Sequence, residues 1–245
     1  MVAERTSFQG VWNVIRFNWH FYAIALCCII TVVIFHQFLP PTLSWVSSLA
    51  AFAAAFSLAT SLIASYYIYD LSGLYQLNLI RPKVNSTLLS INAGFDEISG
   101  ILEEKHPEVH IQTCDFYNVD KHTEISIKRA RKAYPLNPNS IEISTHKIPF
   151  KDQSFELIIA FLSAHEIRDQ AERIEFFKEL KRLKKSGGRV MVTEHLRDWK
   201  NFIAYNIGFF HFHSRQSWLQ TFHSADFIVV KEIKQTPFLS TFILE

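Results

Sequence analysis

No Asp, Glu, Lys or Arg occurs from residue 17 to residue 69. That absence excludes an ordinary solvated surface for the stretch, because helices on a soluble surface carry a charged face. Cysteine is scarce. Cys27 and Cys28 are adjacent in the apolar run and Cys114 stands alone, which excludes a disulfide framework and fits a reducing compartment. A strong charge of one sign is also missing. The formal net charge is +2, too small to project the field that nucleic-acid binding uses, so no nucleic-acid partner is expected.

What is present falls into two unlike parts. Residues 21–39 and 45–67 are each long and apolar enough for a membrane span of roughly 20 residues. Pro40 and Pro41 separate them, since proline lacks the amide donor a helix needs. Ser47, Ala51, Ala55 and Ala59 recur every four residues, a small-residue stripe that lets two helices approach closely. Aromatic residues gather at the expected headgroup levels: Trp12, Phe17 and Trp19 before the first span, Tyr66, Tyr67 and Tyr69 after the second. Arg5 and Arg16 precede the pair, Arg81 and Lys83 follow it, and the connecting loop has no basic residue, so both ends are expected in the cytoplasm. The expected organisation is a two-span membrane anchor over 1–69, an amphipathic connector along the membrane surface over 70–83, and a soluble domain over 84–245. A cleaved signal peptide and a pair of buried soluble helices are the competing readings of the apolar run.

In the soluble part, short apolar runs alternate with helical periodicity. Strands are expected at 86–91, 110–114, 140–144, 155–161 and 189–193, and helices at about 96–105, 124–133, 171–185 and 217–225. The run 155–161 (FELIIAF) is continuously apolar, as in a strand buried on both faces. Ile174, Phe177, Leu180 and Leu183 form one face of the third helix. Residues 228–233 and 238–244 read as a strand pair around Pro237. Strand–helix alternation implies an α/β fold, a doubly wound, mostly parallel sheet whose ligands lie beyond the carboxyl ends of the strands.

One combination of segments is specific. Ile148-Pro149-Phe150 precedes Ser154-Phe155-Glu156 at the start of the buried strand. A helix then ends Glu179-Leu180-Lys181-Arg182-Leu183-Lys184-Lys185-Ser186-Gly187-Gly188, and a strand Arg189-Val190-Met191-Val192-Thr193 leads to Glu194. In this order the chain resembles the class I S-adenosylmethionine-dependent methyltransferases over roughly residues 84–245. The resemblance implies a seven-stranded sheet with a C-terminal antiparallel hairpin, and S-adenosyl-L-methionine as cofactor. It places the donor at Ser90, Asn92, Ala93, Gly94, Asp96, Asp115, Phe116, Thr145, His146 and Ser163. Asp115 stands where the family carries the ribose carboxylate. The glycine-rich loop departs from the family pattern. Only Gly94 remains at a glycine position, Ser90 replaces the leading acid, Asn92 is expected to supply a positive φ, and Asp96 to cap the following helix.

His165, Glu166, Glu194 and His195 follow the fourth and fifth strands and are expected to converge as catalytic groups, with histidine suited to a base near neutral pH. The aromatic, nearly uncharged segment 201–215 is expected to cover the substrate, with Arg197, His211 and His213 as substrate-binding groups, the two histidines sharing a face if extended. No metal is assigned, because His165-Glu166-Ile167-Arg168 is not a His-Glu-x-x-His pattern. The expected partners are the lipid bilayer and a lipophilic small-molecule acceptor. Two other readings stay open: a non-catalytic membrane-tethered binding module, and a metal-dependent hydrolase at the histidine cluster.

Overall fold

The computed structural model describes residues 5–134 and 137–245. The sheet contains β1 (Thr87–Asn92), β2 (His110–Asp115), β3 (Ile141–Glu142), β4 (Phe155–Phe161), β5 (Lys184–His195), β6 (Val229–Thr236) and β7 (Leu239–Leu244). Its order is β3-β2-β1-β4-β5-β7-β6. The first five strands run parallel and β7 enters antiparallel between β5 and β6. The order reverses between β1 and β4, so a crevice opens beyond their carboxyl ends.

The helices are α1 (Gln9–Phe35), α2 (Pro41–Tyr66), α3 (Ser99–Lys105), α4 (Ile125–Ala133), α5 (Gln170–Leu183), α6 (Trp199–Tyr205) and α7 (Arg215–Ser224). The pattern in β4 is met on both faces. Ile158 and Ala160 pack with Phe176, Phe177 and Leu180 of α5 and Trp218 and Phe222 of α7. Leu157, Ile159 and Phe161 face the opposite layer. That second layer differs from expectation. Leu74, Tyr75, Leu77 and Ile80 are buried in it, so the connector packs as core and not along a membrane surface. Its apolar spacing suits either place; the uncovered face of β1 and β4 decides. Two boundaries also differ. The expected third strand shrinks to two residues at the sheet edge. β5 begins at Lys184, directly after α5, and runs through Gly187.

The N-terminal helix pair has two levels. Beyond a kink at Asn18 (φ −115°, ψ 18°), α1 runs beside α2, with Phe21, Ile24, Leu26, Leu49 and Phe52 exposed. Both helices are long and apolar enough to cross a membrane, and their apolar windows are not buried by the rest of the chain. Before the kink, α1 is part of the folded body. Phe17 packs edge-on against Phe95 and Tyr134, the Tyr134 hydroxyl donates to Asn13 Oδ1 at 3.0 Å, and Arg129 donates to the Phe17 carbonyl at 2.7 Å.

The start of α1 is fixed by Asp70, the first charge after the apolar run. Its carboxylate accepts from the amides of Gly10 at 2.7 Å and Val11 at 2.9 Å, as an anion at a helix N-terminus should. A β-carbon on Gly10 would lie 2.3 Å from Tyr69 Cβ. Gly10→Ala is therefore expected to lift α1 from the body at a cost of about 1–3 kcal/mol. Hydrogen exchange over residues 9–18 would accelerate; unchanged protection would show that the contact relaxes freely.

Candidate active site

The crevice at the switch point holds a cavity of about 240 Å³. Its floor is the end of β1 and the loop after it (Ser90, Asn92, Ala93, Phe95, Asp96, Glu97). One wall carries His165, Glu166, His195 and His211, and the opposite wall is the first part of α1, including Asn13 and Phe17.

The loop is built by side-chain bonds where the family uses glycines. Asn92 Oδ1 accepts from the Gly94 amide at 3.0 Å and its Nδ2 donates to the Cys114 carbonyl at 3.1 Å, tying β1 to β2. Asn92 is the last residue of β1 and does not take the expected positive φ; Gly94 does, at +93°. Asp96 accepts from Ile98 and Ser99 at 3.2 and 3.0 Å, opening α3 as expected. Ser90 is buried and accepts a bond from Ser99 Oγ at 3.0 Å. The carboxylate that the loop brings to the cavity wall is Glu97, which the sequence reading passed over. It accepts from Tyr75 Oη at 2.6 Å and pairs with Arg5 at 3.2 Å. Burial raises its pKa against the opposing pull of Arg5 and Tyr75.

The carboxylate expected at the ribose is closed off. The Asp115 side chain is 1% exposed and pairs with Arg131 Nη1 at 2.5 Å, and it also accepts from the Tyr117 amide at 2.8 Å. Arg131 stacks on Tyr117, 4.2 Å from the ring centroid. A β-carbon at Gly94 would meet Tyr117 at 2.9 Å and Arg131 at 3.0 Å. Thr145 donates to Glu172 at 2.6 Å, and His146 is exposed. Phe116 packs on Phe176 in the core. The cavity is smaller than the roughly 300–1,000 Å³ that small-molecule sites offer. The residues present thus fit a nucleoside donor in kind, with the cavity open at the 92–98 loop where the methionine end is expected. Asp115 becomes reachable only when Arg131 leaves it.

The polar wall has two separate halves. In one, Glu194 is fully buried and accepts from the His165 amide at 3.2 Å, while its other oxygen lies 2.6 Å from His165 Nδ1. Burial alone would lower the pKa of His165, but Glu194 and Glu166 outweigh it and raise it to about 10. His165 is therefore an imidazolium at neutral pH and not the expected base. Burial likewise works against ionisation of Glu166, yet His165 and His211 hold this carboxylate well below its ordinary range. In the other half, His195 Nδ1 lies 3.0 Å from Asn201 Oδ1 and Nε2 lies 2.8 Å from the Tyr69 hydroxyl. Asn201 Oδ1 can only accept, so Nδ1 carries the proton and Nε2 accepts from Tyr69. Burial first, then the neighbouring His165 charge, push the His195 pKa down to about 3 despite the Asn201 bond. His195 is neutral.

Three further residues stand away from the cavity. Arg197 donates to the carbonyls of Phe212 at 2.7 Å and Phe210 at 3.1 Å, so its guanidinium is spent on the loop that carries His211. His213 accepts from Arg173 at 3.1 Å against Trp218, and burial and the Arg173 charge lower its pKa to about 3. His211 closes a 3-10 turn and His213 follows an extended residue, so they do not share a face as expected: His211 turns to the cavity and His213 to the core. Ser163 donates to the Ile91 carbonyl at 3.0 Å and braces the floor from behind.

Residues 98–192 match a family model described as a methyltransferase domain. Among solved structures, an S-adenosylmethionine-dependent methyltransferase from Aquifex aeolicus is similar with a TM-score of 0.50 and 16% identity, over 71% of this chain and 93% of the other. A protein from Pyrococcus horikoshii gives 0.52 and 16%, over 74% and 91%. A geranyl diphosphate C-methyltransferase from Streptomyces coelicolor, solved with Mg2+, geranyl diphosphate and S-adenosyl-L-homocysteine, gives 0.51 and 12%, over 75% and 81%. At these identities the likeness is one of fold. No curated protein sequence matches the chain. The match makes residues 98–192 a methyltransferase domain, and the sheet order and the solved structures agree with it in fold.

Proposed function

We propose that the chain is a membrane-anchored methyltransferase acting on a lipophilic small molecule or lipid, with its catalytic domain on the cytoplasmic side. One observation carries this reading: a wall of the cavity is the base of the first hydrophobic helix. An acceptor held in the bilayer beside α1 and α2 would have a short path to the site. A second feature supports it. α6 and the turn after it lean on α2, with Thr60 Oγ1 donating to the Ile203 carbonyl at 3.3 Å and Asn206 donating to Ser57 Oγ at 2.5 Å. That segment exposes Trp199, Phe202, Ile207 and Phe210, an apolar patch continuous with the helix pair, of the kind that marks membrane or ligand contact.

S-adenosylmethionine supplies an electrophilic methyl group on a sulfonium. The chain's own task is to orient and desolvate. The 92–98 loop and Glu97 would hold the methionine end, and Asp115 the ribose. Tyr69 stands where the hydrophobic helix meets the catalytic wall. Its proton is engaged on His195, which leaves its oxygen to accept a bond from an acceptor hydroxyl. Tyr69→Phe is expected to reduce turnover about 10–100-fold with little change in donor affinity.

The test is transfer of radiolabelled methyl from donor to the organic-extractable fraction of liposomes carrying the purified protein and a membrane lipid extract. Label in that fraction supports the reading. Donor binding with label only on water-soluble acceptors would overturn the lipophilic assignment.

A further inference from the structure

We propose that His165, Glu166 and His211 form a binding site for one divalent first-row transition-metal ion, at the cavity wall. Their ligand atoms lie within 4.8 Å of one another. Glu166 Oε1 is 3.5 Å from His165 Nε2 and 3.2 Å from His211 Nε2. Bonds of about 2.1 Å in a tetrahedral arrangement put neighbouring ligand atoms about 3.4 Å apart. The two measured edges bracket that value, and the third edge is no longer than 4.8 Å.

The outer side of the cluster fits the same purpose. His165 Nδ1 is 2.6 Å from Glu194 Oε2, and His211 Nδ1 is 2.6 Å from Glu124 Oε1. Each ring is thus braced at Nδ1 by its own carboxylate and presents Nε2 to the shared third one. Metal-binding histidines are held in this way, the outer carboxylate fixing the tautomer and raising ligand basicity. A single histidine–glutamate contact has many structural explanations. Two braced rings facing a common carboxylate beside a cavity present three ligand atoms to one point.

The other charge at the cluster is Arg168. It lies against the His211 ring, donates to the His211 carbonyl and pairs with Glu124 at 3.1 Å. Its side chain is 41% exposed, so it can turn outward. With two neutral imidazoles, three carboxylates, Arg168 and one divalent ion, the cluster is electroneutral. Two nitrogens and one carboxylate favour a transition ion over magnesium or calcium, which prefer oxygen ligands. A three-ligand set leaves positions open to the cavity, where the ion would hold an oxygen of the methyl acceptor. That role rests on the proposed function; the metal site does not.

The two are separable by experiment. Full-length protein in detergent, freed of affinity tag and stripped with chelator, is titrated with Co2+ alone and followed by visible absorption and elemental analysis. One Co2+ per chain is expected, with ligand-field bands that vanish on adding Zn2+. Glu166→Gln, which keeps shape and volume, and His211→Ala are each expected to weaken Co2+ binding at least 100-fold. Glu194→Gln is expected to weaken it about 10–100-fold through His165. Calorimetry with donor checks that the variants remain folded. Failure of the stripped protein to take up stoichiometric Co2+, or uptake unchanged in Glu166→Gln, would overturn the site. Neither readout involves methyl transfer.

Discussion

Replacing Arg131 with alanine is expected to tighten donor binding about tenfold while making the protein less stable by about 3 kcal/mol. The two effects have one origin. Asp115 is the carboxylate at the tip of β2, its side chain 1% exposed and paired with Arg131 at 2.5 Å. Removing one partner of such a pair leaves a buried charge uncompensated, a loss of about 3–5 kcal/mol when both are fully buried. Arg131 is 23% exposed, which places the expected loss at the low end. In the donor complex proposed above the same carboxylate would receive ribose hydroxyls through charge-assisted bonds. In the unaltered protein the nucleoside must first displace the guanidinium, and the donor is itself a cation. Alanine removes both obstacles. Asp115→Ala is expected to act oppositely, weakening donor binding at least several-fold. Calorimetry with S-adenosylmethionine and thermal unfolding of both variants measure this. If Arg131→Ala lowered the melting temperature without tightening the donor, the guanidinium would be a structural brace and no competitor.

The second large effect is on stability against pH. In metal-stripped protein, stability is expected to peak near pH 6.5 and fall on both sides. On the alkaline side the cause is His165, whose pKa burial alone would lower and which Glu194 and Glu166 raise to about 10. A raised folded-state pKa contributes stability that is complete below the unfolded value of about 6.5 and lost as pH climbs through 10, by about 1.4 kcal/mol per unit at most. On the acid side the cause is His195 and His213, each lowered to about 3, chiefly by burial. A lowered histidine contributes stability above its unfolded pKa and loses it as pH falls from about 6.5 toward 3, the unfolded chain taking up protons that the folded one refuses. The depressed Glu166 carboxylate adds to the acid loss. Glu194→Gln should flatten the alkaline limb and leave the acid limb in place. Denaturant unfolding at intervals from pH 4 to pH 10 measures both limbs. An alkaline slope that survives in Glu194→Gln would assign it to other groups.

The sheet was legible in the sequence wherever a strand is buried on both faces. The run 155–161 leaves no other arrangement for so many apolar residues, and β4 has the expected bounds. Helix α5 was equally plain, because Phe177, Leu180 and Leu183 must share a side. The connector was not. Leu74, Leu77 and Ile80 suit a membrane surface and a protein core alike, and only the uncovered second face of the sheet selects the core. In the site, the strand-tip rule brought His165, Glu166 and His195 to the same cavity. It could not tell their protonation states, which depend on Glu194 at one ring and on Asn201 and Tyr69 at the other. Nor could it find Arg131 over Asp115, since a long side chain's rotamer leaves no trace in residue spacing. Glu124 and Glu97 were missed for want of any local pattern, and Tyr69, read as a headgroup aromatic, instead meets His195 at the cavity. Each reaches the cavity from an element whose placement depends on the whole fold.

The bond from Asp70 to the start of α1 has a practical consequence. In the membrane-anchored enzyme proposed above, a protease that cut the hydrophobic helices away would remove one side of the cavity with them. Shedding would then end catalysis instead of releasing a diffusible enzyme, and the activity would be confined to wherever the hydrophobic helices reside.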